Sequence, residues 1–254
     1  MISSNNQLLT VQDLSVTFTD EKGSLKALNQ LSFTIDREQF VCVVGPSGSG
    51  KSTLIRVLAG LLLPTAGQVI LDGKPVEGPR LGVGIVFQKA NLMPWRTVLG
   101  NITLPLEIAR VPAQESDQRA RELIDLVGLS GFEDWLPRDL SGGMMQRVSI
   151  ARSLIQDPDL LLLDEPFGAL DALTREKMGA ELERIWRATR KTVIMITHDI
   201  SEAVFLADRV LAISPQPGSL RLDLPVPLGR PRKDEDRFAP EFIEATHQLR
   251  QAIK

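Results

Sequence analysis

The stretch GPSGSGKST at residues 45–53 decides the fold. It fits the pattern G-x-x-x-x-G-K-[ST], in which glycines let the backbone turn so that successive N–H groups point at phosphates. The apolar run QFVCVV at 39–44 precedes it, and the helix-patterned GKSTLIRVLAGL continues from it and stops before Pro64. Because this context is the one the pattern requires, a Gly-rich turn without function is disfavoured. The sequence predicts a buried strand, a phosphate-binding loop and a helix.

The loop offers two kinds of group to a bound phosphate. Its backbone amides and the N-terminus of the following helix supply partial positive charge. The Lys51 side chain can reach the β and γ phosphates, and the Ser52 hydroxyl can bind Mg²⁺. The predicted nucleotide-binding residues are Gly45, Pro46, Ser47, Gly48, Ser49, Gly50, Lys51, Ser52 and Thr53.

A second apolar run, LLLLD at 160–164, ends in two carboxylates, Asp164 and Glu165. Asp164 would support the magnesium ion, usually through water. Glu165 follows the strand at its carboxyl end, where open α/β sheets bind ligands, and it can activate an attacking water as general base. Two solvated turn carboxylates are the alternative, which the phosphate-binding loop upstream disfavours. Together the two segments predict a nucleoside triphosphatase.

Composition limits the classes of partner and compartment. The 254 residues carry a net charge of −3, which argues against coating nucleic acid or an anionic membrane through bulk charge. The apolar runs are too short to cross a bilayer, and no secretory signal is visible at the N-terminus. The single Cys42 cannot form an intrachain disulfide. These features predict a cytosolic, reduced protein.

Apolar patterning along the chain predicts an α/β fold. Alternating segments at 8–18 and 25–35 predict an antiparallel pair of strands, and GQVILDGK at 67–74 predicts an edge strand and a turn. Buried strands are predicted at 39–44, 81–88, 160–164 and 192–198. Their alternation with helical segments indicates a mostly parallel, doubly wound sheet. A helical pattern throughout 98–156 interrupts this alternation and predicts a helical insertion.

A second Gly/Ser-rich stretch, LSGGMMQR at 140–147, stands immediately before another helical pattern. Taken alone, Ser141 could be an ordinary helix N-cap. Together with its neighbours, however, the sequence closely resembles the ATP-binding subunits of ABC transporters over nearly its whole length. GPSGSGKST resembles the Walker A loop, LLLLDEP the Walker B strand and LSGG the family signature. Three further matches are Gln88 at the Q-loop, Asp171 in the D-loop GALD and His198 as the switch histidine in ITHD.

The resemblance implies a P-loop NTPase (ABC ATPase) core with an N-terminal antiparallel β subdomain and a helical subdomain insertion. It implies a single ATP-binding domain over 1–254, with the helical subdomain at about 98–156 and a C-terminal extension at about 215–254. In this family two subunits pack head to tail, and each ATP lies between the P-loop of one subunit and the signature of the other. The second Gly/Ser-rich stretch therefore serves the partner's nucleotide.

Residue roles follow from the same resemblance. His198 would hydrogen-bond the γ-phosphate and help position water near Glu165, while Gln88 would link magnesium and water to the membrane subunit. Asp171 would lie at the dimer interface. The implied catalytic residues are Glu165, His198, Gln88 and Lys51, and the implied metal-binding residues are Ser52, Gln88 and Asp164. The implied contacts to the partner's ATP are Ser141, Gly142, Gly143 and Met144.

Phe18 and Met144 are the two positions at which the resemblance leaves the role of the side chain open. Phe18 would stack on adenine, because the family usually has an aromatic residue there, with core packing as the alternative. Position 144 is Met, whereas the family signature most often has Gln. The loss of that amide removes one polar contact and leaves the phosphate contacts of Ser141 and Gly143, so activity is expected to persist.

The segment MPWRTVLGNI after the Q-loop resembles the importer branch that handles nitrate, sulfonates, taurine and bicarbonate. Its apolar Leu92, Met93 and Trp95 would form a docking groove for a coupling helix of the membrane subunit, or else cover the helical subdomain's own core. The implied partners are a second ATPase subunit, permease subunits and a substrate-binding protein, at the cytoplasmic face of the membrane. The alternative is a non-transport ABC ATPase, such as the iron–sulfur assembly type.

Overall fold

The computed structural model describes residues 6–21 and 23–254. It forms two compact units, Met1–Arg80 with Lys191–Lys254 and Leu81–Arg190, called the first and second unit below. The strands are β1 Gln7–Asp20, β2 Gly23–Asp36, β3 Phe40–Val44, β4 Ala66–Leu71, β5 Lys74–Pro75, β6 Val83–Val86, β7 Leu160–Asp164, β8 Thr192–Ile196, β9 Arg209–Ile213 and β10 Leu220–Pro225. The helices are α1 Lys51–Leu58, α2 Val98–Ile108, α3 Ala113–Leu126, α4 Gly142–Leu154, α5 Ala172–Thr189, α6 Ile200–Leu206 and α7 Pro240–Ala252.

The N-terminal antiparallel sheet of the first unit has the order β2-β1-β4-β5. Alternating apolar side chains place one face of β1 and β2 in the core, as the alternation at 8–18 and 25–35 predicts. The prediction that β4 lies at the sheet edge is wrong. A turn after Leu71 reverses the chain, so that Ile70 pairs with Pro75 in the short strand β5.

The second sheet of the first unit is built around β3. It pairs in parallel with β8 on one side and with β9 on the other, and all five of its residues are buried. Such a strand needs apolar side chains on both faces, which explains the continuous run at 39–44. Cys42 is buried here as a small apolar side chain, and burial raises the pKa of its thiol well above the ordinary value.

Two strands of this sheet, β9 and β10, were not predicted from the sequence. β10 runs antiparallel to β9 at the sheet edge, with Leu224 opposite Val210. The sequence of β10, LRLDLP, alternates apolar with charged residues and ends in a proline, a composition that suits an edge strand. The sheet is therefore mostly parallel with an antiparallel addition.

The second unit contains three helices between two paired strands. Strands β6 and β7 pair in parallel, and α2, α3 and α4 lie between them in the chain. β7 is buried from Leu160 to Leu163, as predicted, whereas Val83 and Ile85 of β6 are only half-buried because β6 is an edge strand. Within the described part of the chain, no helix is both long and apolar enough to span a bilayer.

Candidate active site

The phosphate-binding loop lies where the sequence predicts it, between β3 and α1. Gly50 directly precedes α1 with φ 88°, in the left-handed region that favours glycine. A Cβ atom at Gly50 would lie 2.7 Å from Leu28 Cδ2 and 2.8 Å from the Ala27 carbonyl oxygen, so the strand β2 leaves no space for a side chain. The close approach of β2 fixes the curve of the loop.

Two side chains of the loop are held inside this curve. Lys51 is buried, and its Nζ donates hydrogen bonds of 2.8 Å to the carbonyl oxygens of Gly45 and Pro46. The Ser49 hydroxyl is also buried and has no hydrogen-bond partner within the residues that the structure describes. Because buried polar atoms are normally hydrogen-bonded, this hydroxyl fits a site that a phosphate group completes.

In the second unit, the end of β7 brings Glu165 and Gln88 together. Glu165 has φ 47°, an unfavourable conformation for a residue with a side chain, and such strain is concentrated at functional sites. A Cβ atom at Gly168 would lie 2.9 Å from Gln88 Nε2 and 3.4 Å from Glu165 Oε2. The Q-loop amide and the predicted general base therefore both lie over the turn at Gly168.

The signature stretch forms the start of α4. Ser141 is the N-cap, and its hydroxyl accepts a 3.2 Å hydrogen bond from the Met144 amide. Ser141 and Gly142 are exposed, whereas Gly143 is buried. The helix therefore presents its first residues at the surface. The capping role and a role toward a partner's nucleotide are compatible, because the hydroxyl can also donate.

The D-loop lies beside the signature. A Cβ atom at Gly142 would lie 3.3 Å from Leu170 Cδ2, next to Asp171. Asp171 is exposed and caps α5 through a 3.0 Å hydrogen bond from the Thr174 amide to Oδ1. Hydrogen bonds from the Thr174 side chain and backbone lower the pKa of the Asp171 carboxyl. The carboxylate thus fixes the end of the D-loop and remains at the surface.

Gln146 was not among the predicted site residues. Its side chain is buried on α4, and Nε2 donates a 3.2 Å hydrogen bond to the carbonyl oxygen of Phe87. It therefore connects the signature helix to the residue before Gln88. The only feature of the sequence that could have indicated this contact is a long polar side chain between apolar positions of an amphipathic helix.

His198 and Phe18 both belong to the first unit. His198 is exposed, two residues beyond the end of β8, and it immediately precedes Asp199, which caps α6. Phe18 is 43% exposed and lines a cavity of about 330 Å³ at the tip of β1 and β2. The core-packing alternative for Phe18 is therefore wrong, and stacking on adenine stays a prediction.

The donor chemistry fits Mg²⁺ bound with a nucleotide. The predicted donors are a hydroxyl, an amide and one carboxylate, of Ser52, Gln88 and Asp164. Across residues 6–21 and 23–254, no group of three or more His, Cys, Asp or Glu side chains could hold a metal ion. Mg²⁺ uses one or two carboxylates together with substrate phosphates and water, which is the donor set that these three residues and a bound nucleotide would supply.

Comparisons with known proteins agree with this geometry. The family model described as ABC transporter matches residues 28–168. The nitrate import ATP-binding protein NrtD of Synechocystis sp. is 42% identical, covering 97% of this chain and 95% of that protein. The taurine import ATP-binding protein TauB of Rhizobium johnstonii is 45% identical, covering 96% and 95%. A dimeric ATP-binding cassette, MJ0796, bound to ADP and Pi after hydrolysis, matches with TM-score 0.75 and 31% identity, over 87% of this chain and 100% of that one.

These comparisons identify the chain as an ATPase that uses ATP and Mg²⁺. The family match covers more than half of the chain, and the two relatives match over nearly their whole lengths. The chain belongs to the ATP-binding proteins of the ABC transporter family.

Proposed function

We propose that this chain drives the uptake of a small solute of the nitrate, sulfonate, taurine or bicarbonate class through separate permease subunits. The observation that carries the proposal is the similarity to nitrate and taurine import ATP-binding proteins over at least 95% of those proteins. The segment MPWRTVLGNI supports the same branch. The chain works at the cytoplasmic face of the membrane, held there by the permease, and a substrate-binding protein delivers the solute.

The working unit in this proposal is a head-to-tail dimer of residues 1–254, a single ATP-binding domain with the helical subdomain at about 98–156 and the C-terminal extension at about 215–254. Each ATP is bound by the phosphate loop of one subunit and by Ser141 and the Gly143 amide of the other. The exposed position of Ser141 at the start of α4 supports this arrangement. Since both surfaces contact the γ-phosphate, ATP closes the dimer and hydrolysis reopens it.

In this proposal, each predicted site residue has a separate role in the binding or hydrolysis of ATP. Lys51 and the loop amides neutralise the phosphates, and Phe18 stacks on adenine. Glu165 accepts the proton of the attacking water, while His198 orients that water and the γ-phosphate. Ser52, Gln88 and Asp164 would hold Mg²⁺, which would supply positive charge to the phosphates. Gln88, beside Glu165 at Gly168, senses the state of the nucleotide and transmits it toward the permease.

The permease-docking surface in this proposal consists of Leu92, Met93 and Trp95. Trp95 is 74% exposed, and the other two are half-buried. The buried Asn101 holds the loop in place. Its Oδ1 accepts a 2.7 Å hydrogen bond from the Met93 amide, and its Nδ2 donates to the carbonyl oxygens of Met93, Arg96 and Thr97. A fixed loop with one protruding tryptophan is suited to insertion into a partner surface.

Replacement of Trp95 tests this surface. We expect Trp95→Ala to leave the ATP affinity of the purified chain unchanged and to weaken its binding to the permease by about 30-fold, since truncation of a hot-spot tryptophan costs about 2 kcal/mol. Binding is measured by copurification and titration with solubilised permease. Phe238→Ala is the matched control, because Phe238 is an aromatic residue of the first unit that is 82% exposed. If both variants bind the permease as tightly as the natural chain does, Trp95 does not belong to the docking surface.

Replacement of Met144 tests whether Met, in place of the Gln that is usual in the family signature, affects hydrolysis. The Met144 amide is already engaged by the Ser141 hydroxyl, and the phosphate contacts come from Ser141 and Gly143. We therefore expect Met144→Gln to change kcat for ATP hydrolysis by no more than about threefold, the effect of one peripheral polar contact. Steady-state hydrolysis by both proteins measures this. An inactive natural chain that Met144→Gln makes active would contradict the prediction.

The transport function is tested by purification of the tagged chain from its native membrane in mild detergent, followed by mass spectrometry. A polytopic membrane protein recovered at one-to-one stoichiometry supports the proposal. The binding protein encoded or recovered with it would then identify the solute. Recovery of soluble partners alone, with none from the membrane fraction, would favour the non-transport class, such as iron–sulfur assembly.

A further inference from the structure

The segment between β9 and β10, residues 214–219, packs against the phosphate-binding loop, and both belong to the first unit. A Cβ atom at Gly218 would lie 2.2 Å from the Ser49 carbonyl oxygen, far inside van der Waals contact. A Cβ atom at Gly45 would lie 2.8 Å from the carbonyl oxygen of Ile213, the last residue of β9. The backbones of the two segments therefore meet at positions where only glycine fits.

Gly218 is also hydrogen-bonded to strand β2. Its amide donates to the Ala27 carbonyl oxygen at 2.9 Å, and its carbonyl oxygen accepts from the Asn29 amide at 2.8 Å. The buried Leu28 lies between these two residues. Its Cδ2 atom would be 3.2 Å from a Cβ atom at Gly218 and 2.7 Å from one at Gly50. Strand β2 thus contacts both segments and holds Gly218 beside the phosphate-binding loop.

The shape of the 214–219 segment is fixed by the buried Ser214. Its hydroxyl lies 2.9 Å from the Pro215 carbonyl oxygen and 3.0 Å from that of Pro217. The same hydroxyl accepts a 3.0 Å hydrogen bond from the Ser219 amide, and the Ser214 amide donates to the Ser219 carbonyl oxygen at 2.9 Å. Because these bonds close the segment around a buried hydroxyl, it resists a change of shape.

The phosphate-binding loop has internal supports as well, and they act on a different part of its geometry. Lys51 Nζ donates to the carbonyl oxygens of Gly45 and Pro46. The Ser49 amide donates to the Pro46 carbonyl oxygen at 3.2 Å. These bonds join residues of the loop to one another and fix its curve. The contact with Gly218 comes from outside the loop and fixes where the Ser49 carbonyl oxygen can lie.

That carbonyl oxygen is coupled to a group that faces the phosphates. The Ser49 carbonyl and the Gly50 amide belong to one planar peptide group. In a loop of this pattern the N–H groups of consecutive residues point at the phosphates. A side chain at position 218 would have to displace the Ser49 oxygen by about 1 Å to restore ordinary contact, and the rigid peptide group would turn the Gly50 N–H with it.

We propose that Gly218 is a positioning residue for ATP binding: by packing without a side chain against the Ser49 carbonyl oxygen, it sets the direction of the Gly50 amide. The inference rests on the proposed role of the phosphate-binding loop in holding the nucleotide. It gives the start of the C-terminal extension a part in ATP affinity, although Gly218 lies outside residues 28–168, which the ABC transporter family model matches.

The test adds one methyl group at position 218 of the full-length chain. We expect Gly218→Ala to raise the Kd for ATP about tenfold, the effect of losing one charge-assisted hydrogen bond to a phosphate. Kd is measured by equilibrium titration with a fluorescent ATP analogue and Mg²⁺, well below the melting temperature of each variant. A role in folding alone would lower the melting temperature and leave the Kd of the folded chain unchanged.

Gly229→Ala is the matched control. Gly229 lies in the same C-terminal extension, and a Cβ atom there would meet nothing within 4 Å. Its φ lies outside the left-handed region, so alanine adds the same methyl group without strain. We expect its Kd for ATP to equal that of the natural chain.

Ser214→Ala tests the same contact without added volume. It removes the hydroxyl that closes the 214–219 segment, so Gly218 is held less firmly against the phosphate-binding loop. We expect the Kd for ATP to rise about threefold, the effect of one neutral hydrogen bond. Gly218→Ala decides the question if it folds, and Ser214→Ala decides it otherwise.

Lys51→Ala, measured in the same titration, separates this inference from the proposed function. A higher Kd for Lys51→Ala with a natural Kd for Gly218→Ala would overturn the positioning role and leave the phosphate-binding role standing. Natural Kd values for both would contradict the proposed role of Lys51 and the inference together. An equal rise for Gly218→Ala and Gly229→Ala would also overturn the inference, because any added volume in the extension would then have the same effect.

Discussion

Glu165→Gln is expected to bind ATP and to form the closed dimer while its turnover falls by about 100-fold or more, the contribution of a well-placed general base. The amide keeps the size and hydrogen-bonding reach of the carboxylate but cannot accept the proton of the attacking water. The left-handed backbone at Glu165 supports the assignment, because it aims the side chain at Gly168 beside Gln88. The measurement combines steady-state hydrolysis with size-exclusion chromatography in ATP and Mg²⁺.

The control for this variant is Glu176→Gln. Glu176 is an exposed carboxylate on α5, so its loss changes the net charge by the same amount without touching the turn after β7. We expect its turnover to equal that of the natural chain. If Glu165→Gln hydrolyses ATP within about threefold of the natural rate, Glu165 is not the general base, because the loss of a general base lowers the rate by far more than threefold.

Lys51→Ala is expected to weaken ATP binding itself. A charge-assisted hydrogen bond is worth about 1.5–3 kcal/mol, which corresponds to an affinity lower by about 10- to 100-fold. The loop also loses an internal support, because Lys51 Nζ donates to the carbonyl oxygens of Gly45 and Pro46. Hydrolysis should fall with binding, because the same ammonium group neutralises the phosphates during the reaction.

Equilibrium titration with a fluorescent ATP analogue measures the affinity of Lys51→Ala. Lys74→Ala is the control, because Lys74 is an exposed lysine in β5 of the same unit. A Kd for Lys51→Ala equal to that of the natural chain would show that the lysine supports the loop and not the phosphates. A higher Kd in both variants would point to bulk charge rather than a specific contact.

Motifs that act through adjacent residues were predictable from the sequence. The phosphate loop works through the N–H groups of consecutive residues, so its pattern of glycines, Lys51 and Ser52 determines its local shape. The same holds for the buried run before it, which needs apolar residues on both faces of β3. The Ser141 N-cap was likewise local, since its hydroxyl contacts an amide three residues further on.

Contacts between distant segments were not predictable in this way. Strands β9 and β10 were not predicted, and the place of β9 between β3 and β10 is a pairing that the local sequence does not specify. The contact of Gln146 with Phe87 and the position of Gln88 over Gly168 depend on the path of the chain, which periodicity does not encode. The exposure of Phe18 also depends on neighbouring strands, and for this reason its sequence left core packing open.

The sequence by itself determined that this protein binds a nucleotide phosphate, that a carboxylate follows a buried strand, and that a second Gly/Ser-rich helix start is present. Each of these features is a short run of residues whose backbone or side chains act together. Only the tertiary structure decided that Arg230 and Arg232 close the end of α6. The physical reason is that a helix end leaves carbonyl groups that any donor can satisfy, and only the folded chain determines which donor arrives.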